Sequence, residues 1–418
     1  MTGRARPTAD DAHSDVCVVG GGPAGLTLAL LMLRSGARVT LVERSRSLER
    51  AYRGEILQPG GQALLDALGV LKGARHRGCH DHDGFRLEER GRVLINGDYR
   101  RLPGPYNCLL SLPQQHLLTD LLERCRAHSR FTCLTGTKVN GLVVEGGVVR
   151  GVVCGGGSDG LVVRADCVVG ADGRYSAVRR LAGIPYDRID LFDQDVLWCR
   201  LTAPATRTVR IFRAGGNPVL AYTSFPDCVQ LGWTLPHKGY QTLAERGFGH
   251  VKASIQAAVP EYADAVGQQV RSFKDVSLLD VFAGSARRWA GDGLLLIGDS
   301  AHTHSPIGAQ GINLAVQDAV AAHPVLCEGL RRRDLSGRTL SGVAARRRPE
   351  TELATRVQVM QSRMMLSTGR VSAVVRPKAA MLVSRTPVYR SLLRRIAYGD
   401  QALRIRADLF QEGEPETL

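Results

Sequence analysis

The segment DVCVVGGGPAG at residues 15–25 decides the fold of this chain. Its apolar run from Val16 to Val19 suits a strand buried on both faces of a parallel sheet. Gly20, Gly22 and Gly25 follow as Gly-x-Gly-x-x-Gly, in which glycines permit a tight turn, close approach of a phosphate and close helix–strand packing. A leucine-rich run comes next, and the free amides at the start of such a helix attract an anion. The segment therefore predicts a strand, a phosphate-binding turn and a helix.

The residues that follow indicate which nucleotide the turn suits. Gly36 ends the predicted helix, Val39 to Val42 is the predicted second strand, and Glu43 lies at the C-terminal end of that strand. A carboxylate at this position accepts hydrogen bonds from both hydroxyls of an adenosine ribose. Because an acidic residue disfavours a 2′-phosphate, the predicted ligand is FAD or NAD rather than NADP. The alternative is a glycine-rich strand–turn–helix without a ligand, and the acidic residue in register argues against it.

A second segment, LLLIGDSAH at residues 294–302, also predicts a strand that ends at a ligand. Asp299 falls where α/β folds bind ligands, and its carboxylate can accept hydrogen bonds from a sugar-alcohol chain. Pro306 opens a glycine-rich turn that leads into a helix predicted from Asn313 to Ala322. Amides at this helix start can stabilise negative charge on a reduced flavin ring. Together the two segments predict FAD, bound by its pyrophosphate at one helix start and by its ribityl chain and ring at the other.

The composition is that of a globular protein with more than one lobe. The chain has 418 residues, of which 44% are hydrophobic and 23% charged. Its net charge of +15 comes mostly from arginine. Such an excess favours anionic substrates, acidic carrier partners or membrane surfaces, or is a bias spread over the whole surface, which is the interpretation we favour. Because no basic tract alternates with aromatic residues, nucleic-acid binding is not expected.

Cysteine use and hydropathy favour a cytoplasmic location. The ten cysteines form no Cys-x-x-Cys pair, so we expect buried thiols in a reducing compartment. His302 and His304 lack further ligands nearby and are interpreted as structural polar groups, so no metal is expected. No apolar run of membrane-spanning length occurs. The basic, amphipathic segment from Val371 to Tyr398 is predicted to cap the flavin domain, and peripheral membrane contact is the weaker alternative.

The pattern of elements divides the chain into lobes. We predict a disordered tail at 1–14, an FAD-binding domain from 15–80, 105–185 and 276–330, a substrate domain from 81–104 and 186–275, and a C-terminal helical region at 331–418. Short alternating strands predict that the substrate domain is an inserted antiparallel sheet. Its aromatic residues are candidate pocket walls, although core packing is the commoner role for such residues: Trp198, Phe212, Tyr222, Phe225 and Trp233.

These motifs, in this order, resemble the para-hydroxybenzoate hydroxylase-like, single-component flavin monooxygenases of group A. The resemblance covers most of residues 14–325 and rests on the glycine fingerprint with Glu43, on Asp172-Gly173, and on Gly298-Asp299 with Pro306. It implies an α/β fold: a Rossmann-like FAD-binding domain with an inserted antiparallel-sheet substrate domain and a C-terminal helical segment. The sequence RGEILQPGG at residues 53–61 is also similar to that of the squalene-epoxidase branch of these flavoproteins.

The resemblance implies the site residues as well. Arg53 falls where the family places an arginine near the flavin, and Gln114 where a polar residue opens a helix beside the cofactor. Asp172-Gly173 matches a motif tied to FAD and nicotinamide binding. Arg53, Asp299 and Pro306 are expected to act in the reaction. The residues implied to contact the cofactor are Gly20, Gly22, Pro23, Ala24, Gly25, Glu43, Arg44, Arg53, Gln114, Asp172, Gly298, Asp299, Pro306, Gly308, Gly311, Ile312 and Asn313.

The implied activity is insertion of one atom of O2 into an aromatic, polycyclic or alkenyl metabolite through a flavin hydroperoxide. Hydroxylation and epoxidation both remain open, within specialised metabolism such as antibiotic biosynthesis. NADH or NADPH is expected to visit the flavin transiently, because the chain lacks a second glycine fingerprint. One alternative is a reductase or dehydrogenase of the same fold, similar to geranylgeranyl reductases, and another is a non-catalytic flavoprotein. A monomer or homodimer is expected.

Overall fold

The computed structural model describes residues 13–48, 54–89, 91–155, 160–190, 194–213, 217–366, 381–382, 384 and 386–411. The first eleven strands are β1 (His13–Val19), β2 (Val39–Glu43), β3 (Ile56–Leu57), β4 (His80–His82), β5 (Gly84–Glu89), β6 (Arg92–Asp98), β7 (Leu109–Ser111), β8 (Phe131–Thr135), β9 (Val139–Glu145), β10 (Val148–Cys154) and β11 (Leu161–Gly170). The next ten are β12 (Tyr186–Ile189), β13 (Gln194–Leu201), β14 (Thr208–Arg213), β15 (Val219–Ser224), β16 (Cys228–Pro236), β17 (Val276–Leu279), β18 (Ala283–Ala286), β19 (Ala290–Gly291), β20 (Leu294–Leu296) and β21 (His302–Thr303).

Helices flank these strands along the whole chain. They are α1 (Pro23–Arg34), α2 (Pro59–Ala67), α3 (Leu71–His76), α4 (Gln114–Arg126), α5 (Ala177–Leu181), α6 (Gly239–Glu245), α7 (Phe248–Ala258), α8 (Ala263–Gln269), α9 (Gly311–Arg332), α10 (Gly337–Leu366) and α11 (Pro387–Tyr398). None of these described helices is long and apolar enough to span a bilayer. Strand β1 begins at His13, so the tail predicted at 1–14 is too long by two residues, and residues 1–12 lie outside the described part.

The nucleotide-binding lobe is built on an eight-stranded sheet. Its core is parallel, in the order β20-β11-β1-β2-β8. Antiparallel strands β10 and β9 extend from one edge of β11, and β19 pairs with β20. Helices α1, α4 and α9 pack together on one face of this sheet. The Rossmann-like fold is therefore confirmed, and the carboxyl ends of β1, β11 and β20 meet at one edge, where such sheets bind ligands.

The second lobe is a seven-stranded sheet in the order β17-β13-β16-β15-β14-β5-β6. Most of its neighbours pair antiparallel, but β14 and β5 pair in parallel. Two separate parts of the chain therefore build it, as predicted from residues 81–104 and 186–275. Strand β17 also joins this sheet, just beyond the boundary predicted at residue 275. Two smaller sheets have three strands each, in the orders β3-β7-β4 and β12-β18-β21.

The two faces of the seven-stranded sheet have different partners. One face carries Leu197, Leu231 and Trp233 and packs against apolar residues of α7 and α8. The opposite face carries Trp198 and Tyr222. This second face packs against residues of the nucleotide-binding lobe and of α11, namely Ile56, Leu109, Ile307, Ala309, Leu393 and Ala397. One sheet face, the turn that precedes α9 and the C-terminal helix thus meet in one apolar cluster between the lobes.

The C-terminal helices pack on the nucleotide-binding lobe. Helix α10 packs along α9, and α11 contacts α2. A Cβ atom added at Gly60 of α2 would lie 2.3 Å from the carbonyl oxygen of Tyr398, so the end of α11 is held against α2 at backbone distance. Where it is described, the segment from Val371 to Tyr398 therefore covers this lobe, as the cap interpretation predicts. Residues 367–380 of the chain lie outside the described part.

Candidate active site

The turn after β1 accepts only glycine at two positions. Gly20 has φ +109°, and a Cβ atom there would lie 2.4 Å from the carbonyl oxygen of Ala171. A Cβ atom at Gly25 would lie 2.0 Å from the carbonyl oxygen of Gly20. Helix α1 then starts after Gly22 without a side-chain cap and without an acidic residue in its first turn. Its first amides can therefore bind an anionic group such as a pyrophosphate.

Glu43 is fixed at the end of β2 by backbone amides. Its carboxylate is buried and accepts hydrogen bonds from the N–H of Gly21 at 2.7 Å and from the N–H of Ser45 at 2.8 Å. Each carboxylate oxygen retains a lone pair for a further donor. Two backbone amides thus hold this carboxylate beside the turn, where a carboxylate suits the hydroxyls of a ribose. Arg44, the next residue, is exposed.

The two ligand-binding segments predicted from the sequence meet in space. Strand β20 lies parallel to β11, and the chain then turns through a short 3-10 helix, Gly298–Ser300. Gly298 has φ +60°, and a Cβ atom there would lie 3.1 Å from the Cβ atom of Ala24 in α1. The side chain of Asp299 beside it is about one-third exposed and lies 3.6 Å from Nε of Arg174. A partly exposed carboxylate next to the α1 turn can bind the polyol chain of a dinucleotide.

Asp172 has a structural role at the start of α5. Its carboxylate accepts hydrogen bonds from the N–H of Ala177 at 2.6 Å, from the N–H of Val178 at 3.1 Å and from the hydroxyl of Ser176. These bonds satisfy amides in the first turn of α5, whose N-cap residue is Ser176. Gly173 follows with φ +86° and open space where a Cβ atom would lie. Contact of Asp172 with FAD or nicotinamide remains a prediction.

The turn before α9 has exposed backbone at two glycines. Gly308 has φ +76°, and both Gly308 and Gly311 are exposed. Helix α9 starts at Gly311, two residues earlier than predicted, and Gln310 is its N-cap residue. The helix has no side-chain cap and no acidic residue in its first turn. Its amides are thus available to stabilise negative charge on a ligand.

Side chains from other segments of the chain hold this turn in place. Gln58 donates from Nε2 to the carbonyl oxygen of Gly308 at 2.9 Å, and its own N–H donates to Oδ1 of Asn313 at 3.0 Å. Tyr99, on the chain between the lobes, donates from its hydroxyl to Oε1 of Gln58 at 2.9 Å. Asn313 in turn donates to the carbonyl oxygen of Ala309 at 2.8 Å. The side chain of Asn313 therefore acts within the protein, and sequence reasoning missed Gln58 and Tyr99.

A fully buried polar network lies behind the same segment. Oδ2 of Asp318 on α9 accepts hydrogen bonds from Nε2 of His302 at 2.6 Å and from the N–H of Gly298 at 2.9 Å. Its Oδ1 accepts from Nε of Arg347 on α10 at 2.8 Å. Nδ1 of His302 lies 2.9 Å from Nε2 of His304. The interpretation of His302 and His304 as polar groups within the protein agrees with these contacts, whereas Asp318 and Arg347 gave no signal in the sequence.

The network has defined charges. Burial lowers the pKa of His304 well below its usual range, so this imidazole is neutral. Burial alone would raise the pKa of Asp318, but His302 and Arg347 outweigh it and hold the pKa well below its usual range. The ionised carboxylate and the guanidinium, both inaccessible to solvent, therefore compensate each other. Their pairing fixes the backbone of Gly298 and hence the position of Asp299.

The sheet face opposite the turn is aromatic. Trp198 and Tyr222 are buried there with ring centroids 6.2 Å apart, and a Cβ atom at Gly232 would lie 2.8 Å from the Trp198 ring. Phe212 and Trp233 belong instead to the opposite face, in the core with α7 and α8. Glu55 is buried beside this face and accepts a hydrogen bond from Ser224. Burial raises the pKa of Glu55 above its usual value.

Two other residues predicted to contact the cofactor are Gln114 and Arg53. Gln114 opens α4 and is half-buried. Arg53, the residue expected to position the ring, lies outside the described residues. One group of side chains, Asp195, His237 and Asp280, has the spacing of metal ligands. Because Asp195 already accepts hydrogen bonds from the backbone of residues 238 and 281, we assign no ion to this group.

These residues fit FAD. Two helix starts without side-chain caps converge at the ends of neighbouring strands, and the fixed carboxylate of Glu43 and the partly exposed carboxylate of Asp299 lie beside them. No Cβ atom would meet a neighbour at Gly173 or Gly311, so space is open along this edge. The chain belongs to the family described as FAD binding domain, whose model matches residues 13–348. It is a flavin-dependent monooxygenase, which sets aside the reductase and non-catalytic alternatives.

Known proteins similar to the chain share this class. Over its full 418 residues the chain is 90% identical to 6-methylpretetramide 4-monooxygenase of Streptomyces rimosus, with 100% of both chains covered. The structure of p-nitrophenol 4-monooxygenase from Pseudomonas putida is similar with a TM-score of 0.77 and 18% identity, covering 93% of this chain and 100% of that one. The anhydrotetracycline hydroxylase of Streptomyces rimosus has a TM-score of 0.74 and 22% identity, covering 93% and 76%. These two structures confirm the fold.

Proposed function

We propose that this enzyme hydroxylates an aromatic ring of a tetracyclic polyketide of the 6-methylpretetramide type. The observation that carries the proposal is the 90% identity over the whole chain to an enzyme named for that substrate. Among the reactions left open by the sequence, this relative favours hydroxylation over epoxidation.

We infer that the cofactor lies along the edge formed by β1, β11 and β20. The start of α1 binds the pyrophosphate, and Glu43 binds the ribose of the adenosine. Asp299 binds the ribityl chain, and the turn from Pro306 to Gly311 lies beside the ring. The uncapped amides at the start of α9 support this placement of the ring, because they offer a positive end to a group that becomes negative on reduction.

The substrate is proposed to lie between the aromatic sheet face and the turn. Trp198 and Tyr222 offer flat, apolar walls to a flat polycyclic ring system. Ile307 and Ala309 are the turn residues that pack towards this face, and α11 closes the same cluster with Leu393. Such an apolar enclosure orients the substrate and excludes water from the reacting atoms. Phe225, which is partly exposed and packs on His116, is not part of this wall.

The division of labour follows from the residues present. FAD, when bound and reduced by NADH or NADPH, supplies the activation of O2. The protein contributes the amides at two helix starts, two carboxylates at fixed positions, and an apolar enclosure that excludes water. Glu55 is the buried acidic group beside the sheet face, and its raised pKa favours the protonated form relative to an ordinary carboxyl.

Oxygen incorporation by the purified full chain tests this proposal. The enzyme with FAD, NADH or NADPH and 6-methylpretetramide is incubated under 18O2, and the product mass is measured. We expect a product heavier by one labelled oxygen, at a rate that depends on substrate. Reduced-nicotinamide oxidation that yields only hydrogen peroxide, with unchanged substrate, would contradict it. p-Nitrophenol serves as the comparison substrate and should give a far lower yield of hydroxylated product.

We propose the cellular location from the state of the cysteines. The ten cysteines are free thiols and six of them are buried in strands or helices, which supports a reducing compartment such as the cytoplasm. A monomer or homodimer remains our prediction, and light scattering of the purified holoenzyme measures it directly.

A further inference from the structure

Gln358 on α10 reaches the turn beside the proposed ring site from behind. The residue is 2% exposed. Its Oε1 accepts a hydrogen bond from the N–H of Ser305 at 3.2 Å, and its Nε2 donates to the carbonyl oxygen of Ser305 at 2.9 Å and to that of Ile307 at 2.8 Å. One carboxamide thus binds three backbone groups on both sides of Pro306.

The chemistry of these three contacts requires an amide. The backbone presents one donor and two acceptors, and only a carboxamide carries one acceptor oxygen together with two N–H donors. A carboxylate of the same shape accepts from Ser305 but meets the two carbonyl oxygens without a proton. An apolar side chain of the same length leaves all three buried groups without this partner.

Helix α10 holds the preceding part of the segment as well. The hydroxyl of Thr355, three residues before Gln358, lies 3.3 Å from Nδ1 of His304. Arg347 binds Asp318, which binds the N–H of Gly298. The whole stretch from Gly298 to Ile307 is therefore fixed by side chains of α9 and α10 on the side away from the sheet.

We propose that Gln358 is a positioning residue for the flavin ring: it sets the backbone of residues 305–307 and through it the turn that contacts the ring. The inference rests on the proposed placement of the ring beside this turn. It assigns a cofactor-related role to a residue of α10 that lies beyond the matched family region, which ends at residue 348 within this helix. Gln358 itself touches protein only and acts through the turn.

Two variants of the full chain test the role by titration of the apoprotein with FAD, followed by flavin fluorescence. Gln358→Met removes all three hydrogen bonds at similar length. Gln358→Glu keeps the shape and one bond. We expect the Kd for FAD to rise ~tenfold or more in both, because each variant leaves buried backbone groups of residues 305–307 without a partner and the turn is no longer held in place. The absorption bands of the bound flavin should shift as its surroundings change.

A pH profile separates positioning from simple loss of packing. Protonation of the Gln358→Glu carboxyl restores a donor, so its Kd relative to wild type should recover as pH falls from about 8 to about 6, since burial against carbonyls raises a carboxyl pKa. The Gln358→Met ratio should stay constant. The charged and titratable groups around this position, His304, Asp318, Arg347, Glu350 and Arg395, are common to all three proteins and cancel in the ratio.

Gln268→Leu on α8 is the control, since this exposed glutamine lies in the other lobe. It should leave the Kd for FAD unchanged. A folded Gln358→Glu protein whose Kd stays within twofold of wild type at every pH would overturn the inference. So would a fall in the melting temperature of both apoproteins with unchanged FAD affinity and spectrum. If Gln358→Met does not fold, the isosteric variant decides alone. Product formation by the wild type judges the proposed function separately.

Discussion

The two ends of the proposed cofactor site are built in different ways. At the nucleotide end, Gly20, Gly25 and Glu43 lie within one strand–helix–strand unit. Close backbone contacts within that unit, and with Ala171 just after β11, hold them in place. At the ring end, the turn is held by side chains of distant segments. They are Gln58, Tyr99, Asp318, Arg347 and Gln358.

The difference teaches where a sequence carries its information. A close approach of backbone to backbone demands glycine at fixed spacing, so the nucleotide end appears as a short pattern. Buried hydrogen bonds between distant segments require only that a suitable polar residue arrive at the right place. The ring end is therefore spread over 300 residues without a local pattern, and its rigidity depends on more contacts that single substitutions can remove.

The largest effect should come from the nucleotide end, with Gly25→Ala. The new Cβ atom would lie 2.0 Å from the carbonyl oxygen of Gly20, so backbone must move. We expect loss of FAD binding and a drop of ~4 kcal/mol or more in the free energy of unfolding, measured by fluorescence titration and urea denaturation. Gly249→Ala, in open space on α7, is the control and should be nearly neutral. A Gly25→Ala protein that binds FAD normally would remove the steric basis of the comparison.

The next largest effect should come from the ring end, with Asp318→Asn. This change leaves the guanidinium of Arg347 buried without its counter-charge, and such a loss costs about 3–5 kcal/mol. Urea denaturation measures it. Arg331→Met, which breaks the exposed pair with Glu328 on the same helix, should cost less than about 1 kcal/mol. Equal losses in the two variants would show that the buried pair does not organise the ring end.

Acid should weaken the ring end through His304. Burial holds this imidazole neutral in the folded protein, whereas in the unfolded chain it takes up a proton near its ordinary pKa of 6.5. The unfolded state then binds more protons, so stability falls as pH drops below 6.5, by ~1.4 kcal/mol per pH unit for this group. Urea denaturation from neutral pH to about pH 5 should show a shallower slope for His304→Gln. His250→Gln, at an exposed position, should keep the wild-type slope.

The smallest effect should come from Tyr99→Phe, which removes one buried hydrogen bond to Gln58. We expect a loss of about 1 kcal/mol in unfolding free energy. Because Tyr99 reaches the turn from the substrate side, KM for the polyketide should change more than the Kd for FAD. Tyr240→Phe on α6 serves as the control in the same lobe. A larger effect on FAD than on substrate would place Tyr99 functionally with the buried network instead.

Much of the fold followed from the sequence, because its patterns are local. The apolar run before Gly20 predicted β1, and the inserted sheet followed from short alternating strands. The meeting of the Gly298 turn with α1 also followed, since both come after parallel strands. Contact of these residues with FAD remains a prediction.

The rest depended on long-range packing. Alternation placed Trp198 and Trp233 in strands but could not say which face of the sheet each one shares, because that depends on the helices that cover it. Gln58 and Gln358 are ordinary glutamines in helical surroundings, and only the folded chain brings both to one turn. Asp172 shows the converse. This residue is predicted to contact the cofactor, and in the structure it also accepts hydrogen bonds from the first amides of α5.

The parallel pairing of β5 with β14 ties together residues 84–89 and 208–213, and four strands of the nucleotide-binding sheet, β8 to β11, lie between them in the chain. During synthesis, β5 and β6 leave the ribosome long before the strands that complete their sheet, and β1 must wait for β20 at residues 294–296. Neither lobe is a continuous piece of chain, so no single cut yields a half that can fold alone. Such non-local topology is slow to form, and the newborn chain depends on protection of its exposed strands until nearly three-quarters of its length has been made.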